Sequence, residues 1–124
     1  MAISGAQDMM SVEQQHWALA LAYVYLQAQQ YDKAIQLVEA LLVLDKNDPQ
    51  ALKMLSYAYF KTARYEDTFV LARKWIQQMQ KVVSPKEIAL MYLLQGRALL
   101  KLNRKDLAKK CLEKYKQYLG SANV

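Results

Sequence analysis

Few side chains in this 124-residue sequence could carry catalytic or metal chemistry, and those few are scattered. His16 is the only histidine and Cys111 the only cysteine, so their spacing assembles no Cys/His pair, zinc cluster or catalytic triad. Cys111 falls on an apolar helical stripe, which is typical of a small core residue. Glycine-rich phosphate-binding motifs are absent as well. The sequence therefore predicts a protein that is not an enzyme and that needs no metal or other cofactor.

The charged side chains are unevenly distributed. Seventeen Lys and Arg against eleven Asp and Glu give a net charge of +6, with −4 over residues 1–50 and +10 over residues 51–124. Much of the excess lies near the C-terminal end of the sequence, at Lys101, Arg104, Lys105, Lys109, Lys110, Lys114 and Lys116. If these residues form the last helix of a repeat protein, the lysines would give that helix the polar outer side that a terminal repeat needs for solubility. The alternative is that they bind an acidic partner surface. No nucleic-acid-binding motif accompanies the charge, so nucleic acid is not an expected partner.

Composition points to a helical protein. Hydrophobic residues make up 54% of the chain, with three glycines and two prolines, which is too apolar for disorder and too poor in turn residues for an all-β fold. Residues 1–10 lack the features of a signal peptide. The longest charge-free stretch holds about ten mostly apolar residues, whereas a spanning helix needs about 20. We expect an all-α cytoplasmic protein without membrane insertion, with flexible ends at 1–10 and 121–124.

The sequence repeats itself. Residues 18–35 align with residues 52–69 at an offset of 34, and residues 92–109 align with the second copy at an offset of 40. Each copy shows helical apolar spacing on both sides of a short polar turn. The sequence therefore predicts one domain over 11–120, built from three helix-turn-helix repeats at about 12–47, 48–83 and 84–119. The six helices are expected at 12–28, 31–45, 49–62, 65–81, 85–101 and 104–119.

Local signals refine this prediction. Ser11, Asp48 and Ser84 stand where helix N-caps are expected, and Ser11 and Ser84 have the spacing of a capping box. A small residue recurs at one position of each first helix and is expected to let the paired helices approach closely: Ala22, Ser56 and Gly96. The six additional residues between the second and third copies are expected to lengthen the fourth helix and its exit loop.

Several recurring residues carry a family resemblance: the small residue at position 8 of each copy, Tyr25 and Tyr59 at position 11, Ala34 and Ala108 at position 20, and Asp48-Pro49 before a new repeat. This pattern resembles the tetratricopeptide repeat (TPR) family. The resemblance implies a right-handed α-solenoid whose concave wall is formed by the first helix of each repeat, with positions 5, 9, 12 and 13 facing the groove. By itself it implies only that something is bound.

The residues that this resemblance assigns to the groove are seven apolar or aromatic and four basic side chains: Leu19, Tyr23, Leu26, Lys53, Tyr57, Phe60, Lys61, Leu93, Arg97, Leu100 and Lys101. The position-12 residues Leu26, Phe60 and Leu100 are expected to form an apolar row. An exposed apolar surface of several hundred Å² indicates an interaction site, and the expected ligand is an amphipathic or extended protein segment. The alternative is that three short repeats curl tightly and these residues only fill the inside.

A carboxylate clamp is one familiar TPR function that the sequence can test. Co-chaperones that grip the acidic tail of Hsp70 or Hsp90 use Lys, Asn and Arg at five groove positions. This sequence has Leu19, Tyr23, Met54, Leu90 and Leu94 there. No position matches, so the sequence favours partners anchored by apolar side chains.

Three further segments carry a narrower resemblance: residues 37–51, residues 93–108 with their Gly96-Arg97-Ala98-Leu99 run, and residues 114–119. They resemble the small TPR chaperones of bacterial type III secretion systems, specifically the SctY/YscY family. That resemblance implies a bacterial cytoplasmic protein that holds the export component SctX/YscX in its groove and engages the export gate SctV/YscV with it. Because a bound partner would stabilise the protein by mass action, we also expect it to self-associate when partner-free. Needle-subunit or translocator chaperones, and a scaffold TPR domain without an export role, are the alternatives.

Overall fold

The computed structural model describes residues 11–122, which form six α-helices joined by short connections. The helices are α1 (Val12–Gln27), α2 (Tyr31–Leu44), α3 (Pro49–Lys61), α4 (Tyr65–Met79), α5 (Pro85–Lys101) and α6 (Lys105–Ala122). Consecutive helices pack against each other, and α3 also contacts both α1 and α5. This arrangement confirms the expected all-α solenoid of three helix-turn-helix repeats.

The first helices of the first two repeats begin at the N-caps that the sequence indicated. The Gln14 N–H donates to the Ser11 hydroxyl at 3.1 Å, and the Ser11 N–H donates to the Gln14 side chain at 2.8 Å. These reciprocal bonds complete a capping box. Asp48 caps α3 by accepting from the Ala51 N–H at 3.1 Å. Local sequence therefore determines where α1 and α3 start.

The additional residues of the third repeat lie mainly in α5. Helix α4 has 15 residues against 14 in α2, whereas α5 has 17 against 13 in α3. The expectation that they lengthen the fourth helix and its exit loop is therefore wrong for most of them. The physical reason is burial: the extra first turn of α5 places Ile88 out of solvent beside Trp75 and Leu52.

The Ser84 N-cap of α5 differs from the expected capping box. The Glu87 N–H donates to the Ser84 hydroxyl at 3.4 Å, so half of the box is formed. The Glu87 carboxylate accepts from Lys53 of α3 at 3.3 Å instead of from the Ser84 backbone. The Ser84 hydroxyl also donates to the Glu87 carboxylate at 3.5 Å, so Glu87 keeps a local contact with its N-cap residue and adds one between repeats.

Each first helix ends in the same left-handed turn, built without glycine. The turn residues have φ near 60° and are spaced by the offsets of the sequence repeat: Gln29, Ala63 and Asn103. In the second repeat, the Ala63 N–H donates to the Phe60 carbonyl at 3.1 Å and the Arg64 N–H donates to the Tyr59 carbonyl at 2.8 Å. These are the two bonds of a Schellman motif, and both other repeats form them too.

The contact between α5 and α6 depends on Gly96. A Cβ at this position would lie 3.3 Å from the Cβ of Cys111 and 3.6 Å from the Ala108 carbonyl oxygen. The equivalent Ala22 and Ser56 are fully buried in their own repeats. The expectation that a small residue here lets the paired helices approach closely is confirmed for the third repeat.

The core runs along the stack as two large clusters and a smaller one. The first unites α1, α2 and α3 around residues such as Val38, and the second joins α3, α4 and α5 around Trp75. The third lies between α5 and α6 at Leu99, Ala108 and Cys111. Because the first two clusters span neighbouring helix pairs, packing of one repeat on the next holds the first helices in register.

Helix α6 extends three residues past its expected end at 119. The Ser121 hydroxyl donates to the Gln117 carbonyl at 3.2 Å, and Gly120 lies within the helix. The expected flexible N-terminus, residues 1–10, and the last two residues, 123–124, lie outside the described residues.

Candidate protein-binding groove

A groove of about 1210 Å³ opens along the first helices of the three repeats. Its walls come from α1, α3 and α5, and Gln29 of the first turn and Tyr31 at the start of α2 also line it. The groove exists because α3 contacts α1 on one side and α5 on the other, so the outward faces of the three helices form one continuous surface. We call this surface the concave groove.

The structure brings eight of the eleven sequence-predicted residues to the concave groove: Leu19, Tyr23, Leu26, Lys53, Tyr57, Lys61, Leu93 and Arg97. Tyr23 is 56% exposed and Tyr57 is 42% exposed, so both rings offer apolar surface to a ligand. Their role in binding stays a prediction. What the geometry establishes is that these side chains share one open surface.

Two of these residues mainly fill the interior. Leu19 is 5% exposed and Leu26 is 8% exposed, and both belong to the first core cluster. They form the floor of the groove rather than free anchors. The alternative interpretation, that groove positions only fill the inside, therefore describes these two leucines but does not describe Tyr23 and Tyr57.

Three predicted residues do not line the groove: Phe60, Leu100 and Lys101. The Arg97 guanidinium lies over the Phe60 ring at 4.8 Å, and Tyr65 contacts the same ring edge-on with centroids 5.5 Å apart. Leu100 is half exposed but lies one turn beyond Arg97, outside the lining. The expected apolar row of Leu26, Phe60 and Leu100 is therefore not formed, because packing between repeats covers its middle member.

The lining also includes residues that the predicted set lacked. Met54, Leu90 and Leu94 lie in the groove, at the positions that a carboxylate clamp would use. Carboxylate-clamp residues of the TPR family face the groove, so these positions in the sequence already indicated that Met54, Leu90 and Leu94 would do the same. On α1, His16, Ala20 and Val24 line the outer wall, and the repeat pattern gave no sign of this because that face lacks a preceding repeat among the described residues.

The basic residues of the groove pack against aromatic rings. The Lys61 ammonium lies 5.8 Å from the Tyr57 ring centroid. Lys53 lies 5.7 Å from the Trp75 centroid and also pairs with Glu87 at 3.3 Å. Such contacts fix the position of a cation without removing its charge. The rim therefore presents ordered positive charge beside apolar surface.

A polar cluster behind the groove ties α2 to α3. The Tyr59 hydroxyl donates a hydrogen bond to the Glu39 carboxylate, and the Arg64 guanidinium lies over the Tyr59 ring at 4.0 Å. Burial, followed by the hydrogen bond to Glu39, raises the pKa of Tyr59 to about 12. The phenol is therefore held in its protonated, hydrogen-bond-donating form at neutral pH.

A second polar contact joins the last three helices. Gln95 is nearly buried, and its side-chain N–H group lies 3.4 Å from the Phe69 carbonyl oxygen of α4. Its side-chain oxygen accepts from the Cys111 thiol of α6 at 3.3 Å. Burial raises the pKa of that thiol, which disfavours the reactive thiolate. Cys111 is thus positioned as a packing residue.

Two further properties of residues 11–122 concern metal ions and membranes. Within that range, no group of three or more His, Cys, Asp or Glu side chains is arranged to hold a metal ion. Among the same residues, no helix combines the length and hydropathy needed to cross a membrane.

A comparison with known protein families supports a tetratricopeptide repeat fold. The tetratricopeptide repeat family matches residues 16–58, which span most of the first repeat and most of α3. Together with the repeated helix pairs, this match confirms the expected TPR fold. A comparison with curated protein sequences gives no match.

Solved structures with a similar fold are also known. Two structures of the Yersinia enterocolitica type III secretion translocator chaperone SycD share the fold. One, described as an alternative dimer, has a TM-score of 0.76 and 18% identity, covering 89% of this chain and 79% of SycD. The other has a TM-score of 0.74 and 16% identity, covering 93% of this chain and 81% of SycD. The chain thus resembles type III secretion chaperones in its fold.

Proposed function

We propose that this protein is a non-catalytic chaperone of a bacterial type III secretion system, acting in the cytoplasm. It holds a small SctX/YscX-like export component in the concave groove and helps to dock it at the SctV/YscV-like export gate. The observation that carries the proposal is an open groove with an apolar floor and two exposed tyrosines, Tyr23 and Tyr57. The fold shared with a translocator chaperone supports it.

The groove suits a partner that has an apolar face and must be kept from aggregating before export. An amphipathic segment laid along α1, α3 and α5 would bury its apolar side chains against Tyr23, Tyr57 and Leu90, all of which are exposed. The partner would also stabilise the chaperone by mass action, because it binds only the folded state. We accordingly expect the partner-free protein to self-associate and to melt at a lower temperature than the complex.

A second candidate is chaperoning of a translocator or needle subunit. The similarity to SycD favours the translocator, since SycD is described as a translocator chaperone. A scaffold role without export would use the same groove. The three functions differ in the partner and not in the binding surface, so only partner identity separates them.

Co-expression tests the proposal. The chain is produced with each of three proteins from its own genome: an SctX-like protein, a needle subunit and a translocator. Complexes are weighed by size-exclusion chromatography with light scattering. A stoichiometric complex with the SctX-like protein alone supports the proposal. A complex with the translocator alone supports the second candidate, and failure of all three indicates a scaffold.

Paired variants test the surface. Tyr23→Ala with Tyr57→Ala removes the exposed rings of the groove. Val43→Ala with Val70→Ala removes exposed apolar side chains that do not line it. We expect the first pair to lose the complex while retaining helicity by circular dichroism, and the second pair to keep it. Retention of the complex by the tyrosine variant would show that the concave groove is the wrong surface.

A further inference from the structure

The basic side chains of the concave groove differ in whether their charge is already matched. Lys53 forms an ion pair with Glu87 at 3.3 Å. Within residues 11–122, Lys61 and Arg97 form no ion pair with a carboxylate. Among the lining residues that the structure describes, none is acidic. The groove therefore carries two positive charges that the fold itself does not neutralise.

These two charges lie towards one end of the groove. Lys61 is the last residue of α3, and Lys53 is near its beginning, so about 12 Å of helix separates them. Arg97 lies near the C-terminal end of α5. The C-terminal ends of α3 and α5 are therefore cationic, and the N-terminal ends carry the matched Lys53–Glu87 pair.

Neighbouring rings hold both unmatched cations in place. Lys61 lies over Tyr57, and Arg97 lies over Phe60 at 4.8 Å. The helix dipole opposes this charge with only about half a negative unit at each C-terminus, and the Schellman turns already satisfy part of that potential. Two full positive charges outweigh it. The result is a preorganised site for negative charge beside an apolar surface.

We infer that the concave groove binds an amphipathic protein segment in one direction, with an acidic stretch at Lys61 and Arg97 and an uncharged apolar stretch beside the Lys53–Glu87 pair. This inference rests on the proposed function and adds the chemistry and polarity of the bound segment. Apolar contacts supply the affinity, and the charges set the register and suppress the reverse orientation.

Synthetic amphipathic peptides test this polarity. The set shares one apolar pattern and carries glutamates at one end, lysines at the same end, or neither, with binding measured by fluorescence anisotropy. The glutamate peptide is expected to bind about tenfold more tightly than the uncharged one at low salt, with the advantage shrinking as salt rises. A photo-crosslinker at its acidic end should label residues around Lys61 and Arg97, and one at the other end residues around His16 and Lys53.

Charge reversal tests the same site from the protein side. Lys61→Glu with Arg97→Glu should abolish the preference for the glutamate peptide. Lys109→Glu with Lys110→Glu makes the same net change on exposed positions of α6 outside the groove and should leave the preference intact. If the first variant fails to fold, Lys61→Gln with Arg97→Gln removes the charge without reversing it.

The outcomes separate the inference from the proposed function. Equal binding of all peptides, with loss of binding in the Tyr23→Ala and Tyr57→Ala variant, overturns the polarity and leaves the groove as the docking surface. Crosslinks spread equally over both ends do the same. Absence of binding by every peptide overturns the groove as a docking surface, and the proposed function with it.

Discussion

The phenol of Tyr59 and the carboxylate of Glu39 are joined by a hydrogen bond that links α3 to α2. Tyr59 is 7% exposed, and Glu39 receives a second contact from the Arg64 guanidinium at 3.7 Å. The bond thus connects the wall of the concave groove to the helix behind it. Its strength depends on keeping the phenol protonated.

Tyr59→Phe should lower the free energy of unfolding by about 1.5–3 kcal/mol at neutral pH, because it removes one hydrogen bond to a charged acceptor. The pKa of Tyr59 is raised to about 12 in the folded state, against about 10 for an unfolded tyrosine. The unfolded state releases its proton first, so this stabilisation is complete below pH 10 and is lost between about pH 10 and pH 12. Urea unfolding of both proteins across that range measures the loss.

Tyr25→Phe is the matched control for this measurement. Tyr25 occupies the equivalent position in the first repeat, and its hydroxyl forms no hydrogen bond with the residues that the structure describes. At neutral pH, Tyr25→Phe should change the free energy of unfolding by less than Tyr59→Phe does. A Tyr59→Phe difference that is constant from pH 9 to pH 12 would contradict the raised pKa.

Ala63→Gly should raise the free energy of unfolding by about 1 kcal/mol. Ala63 has a φ of 64°, a left-handed conformation that costs an alanine about 1–2 kcal/mol and glycine almost nothing. Thermal and urea unfolding measure the gain. Asn103→Gly should gain less, because asparagine tolerates this conformation. Ala28→Gly, at a φ of −83°, should gain nothing, and equal effects at all three positions would refute the strain.

Gly96→Leu should destabilise the protein by about 1–3 kcal/mol or more, because even a Cβ at this position would crowd the Cβ of Cys111 at 3.3 Å. Gly120→Leu is the matched control. A Cβ there would meet nothing within 4 Å, so the better helix former should stabilise α6 by up to about 1 kcal/mol. Unfolding curves of the two variants should therefore shift in opposite directions.

The Cys111 thiol should react slowly with a disulfide reagent while the protein is folded. It is buried, its pKa is raised by that burial, and it donates to Gln95. We expect the rate at pH 8 to rise about 100-fold or more in denaturant, because reaction requires opening of the α5–α6 contact. In a Cys111→Ser background, Val43→Cys supplies an exposed thiol for comparison. Equal rates for the two thiols in the folded state would rule out a packing role for Cys111.

Local signals explain how well the fold could be predicted from sequence. The offsets of 34 and 40 place the turn residues Gln29, Ala63 and Asn103, and apolar periodicity and N-caps define the helices around them. The position of the extra residues could not be predicted in the same way. It depends on the burial of Ile88 beside Trp75, a contact between helices that no local pattern contains.

The residues of the groove also divide into those that the repeat pattern predicts and those that depend on contacts between helices. Repeat positions brought residues such as Tyr23, Tyr57 and Arg97 to one surface, because a repeated helix face points the same way in each copy. They failed for Phe60, which Arg97 of the next repeat covers. A side chain that reaches across from a neighbouring unit alters exposure in a way that position numbers cannot express.

The longer α5 means that the three repeats are not interchangeable modules. Its four extra residues extend one wall by about 6 Å relative to α3. Duplicating the second repeat would copy a 13-residue first helix, whereas duplicating the third would copy one of 17 residues. An array grown from either unit would have a different junction spacing. The order of the repeats therefore determines the spacing between successive helices along the solenoid.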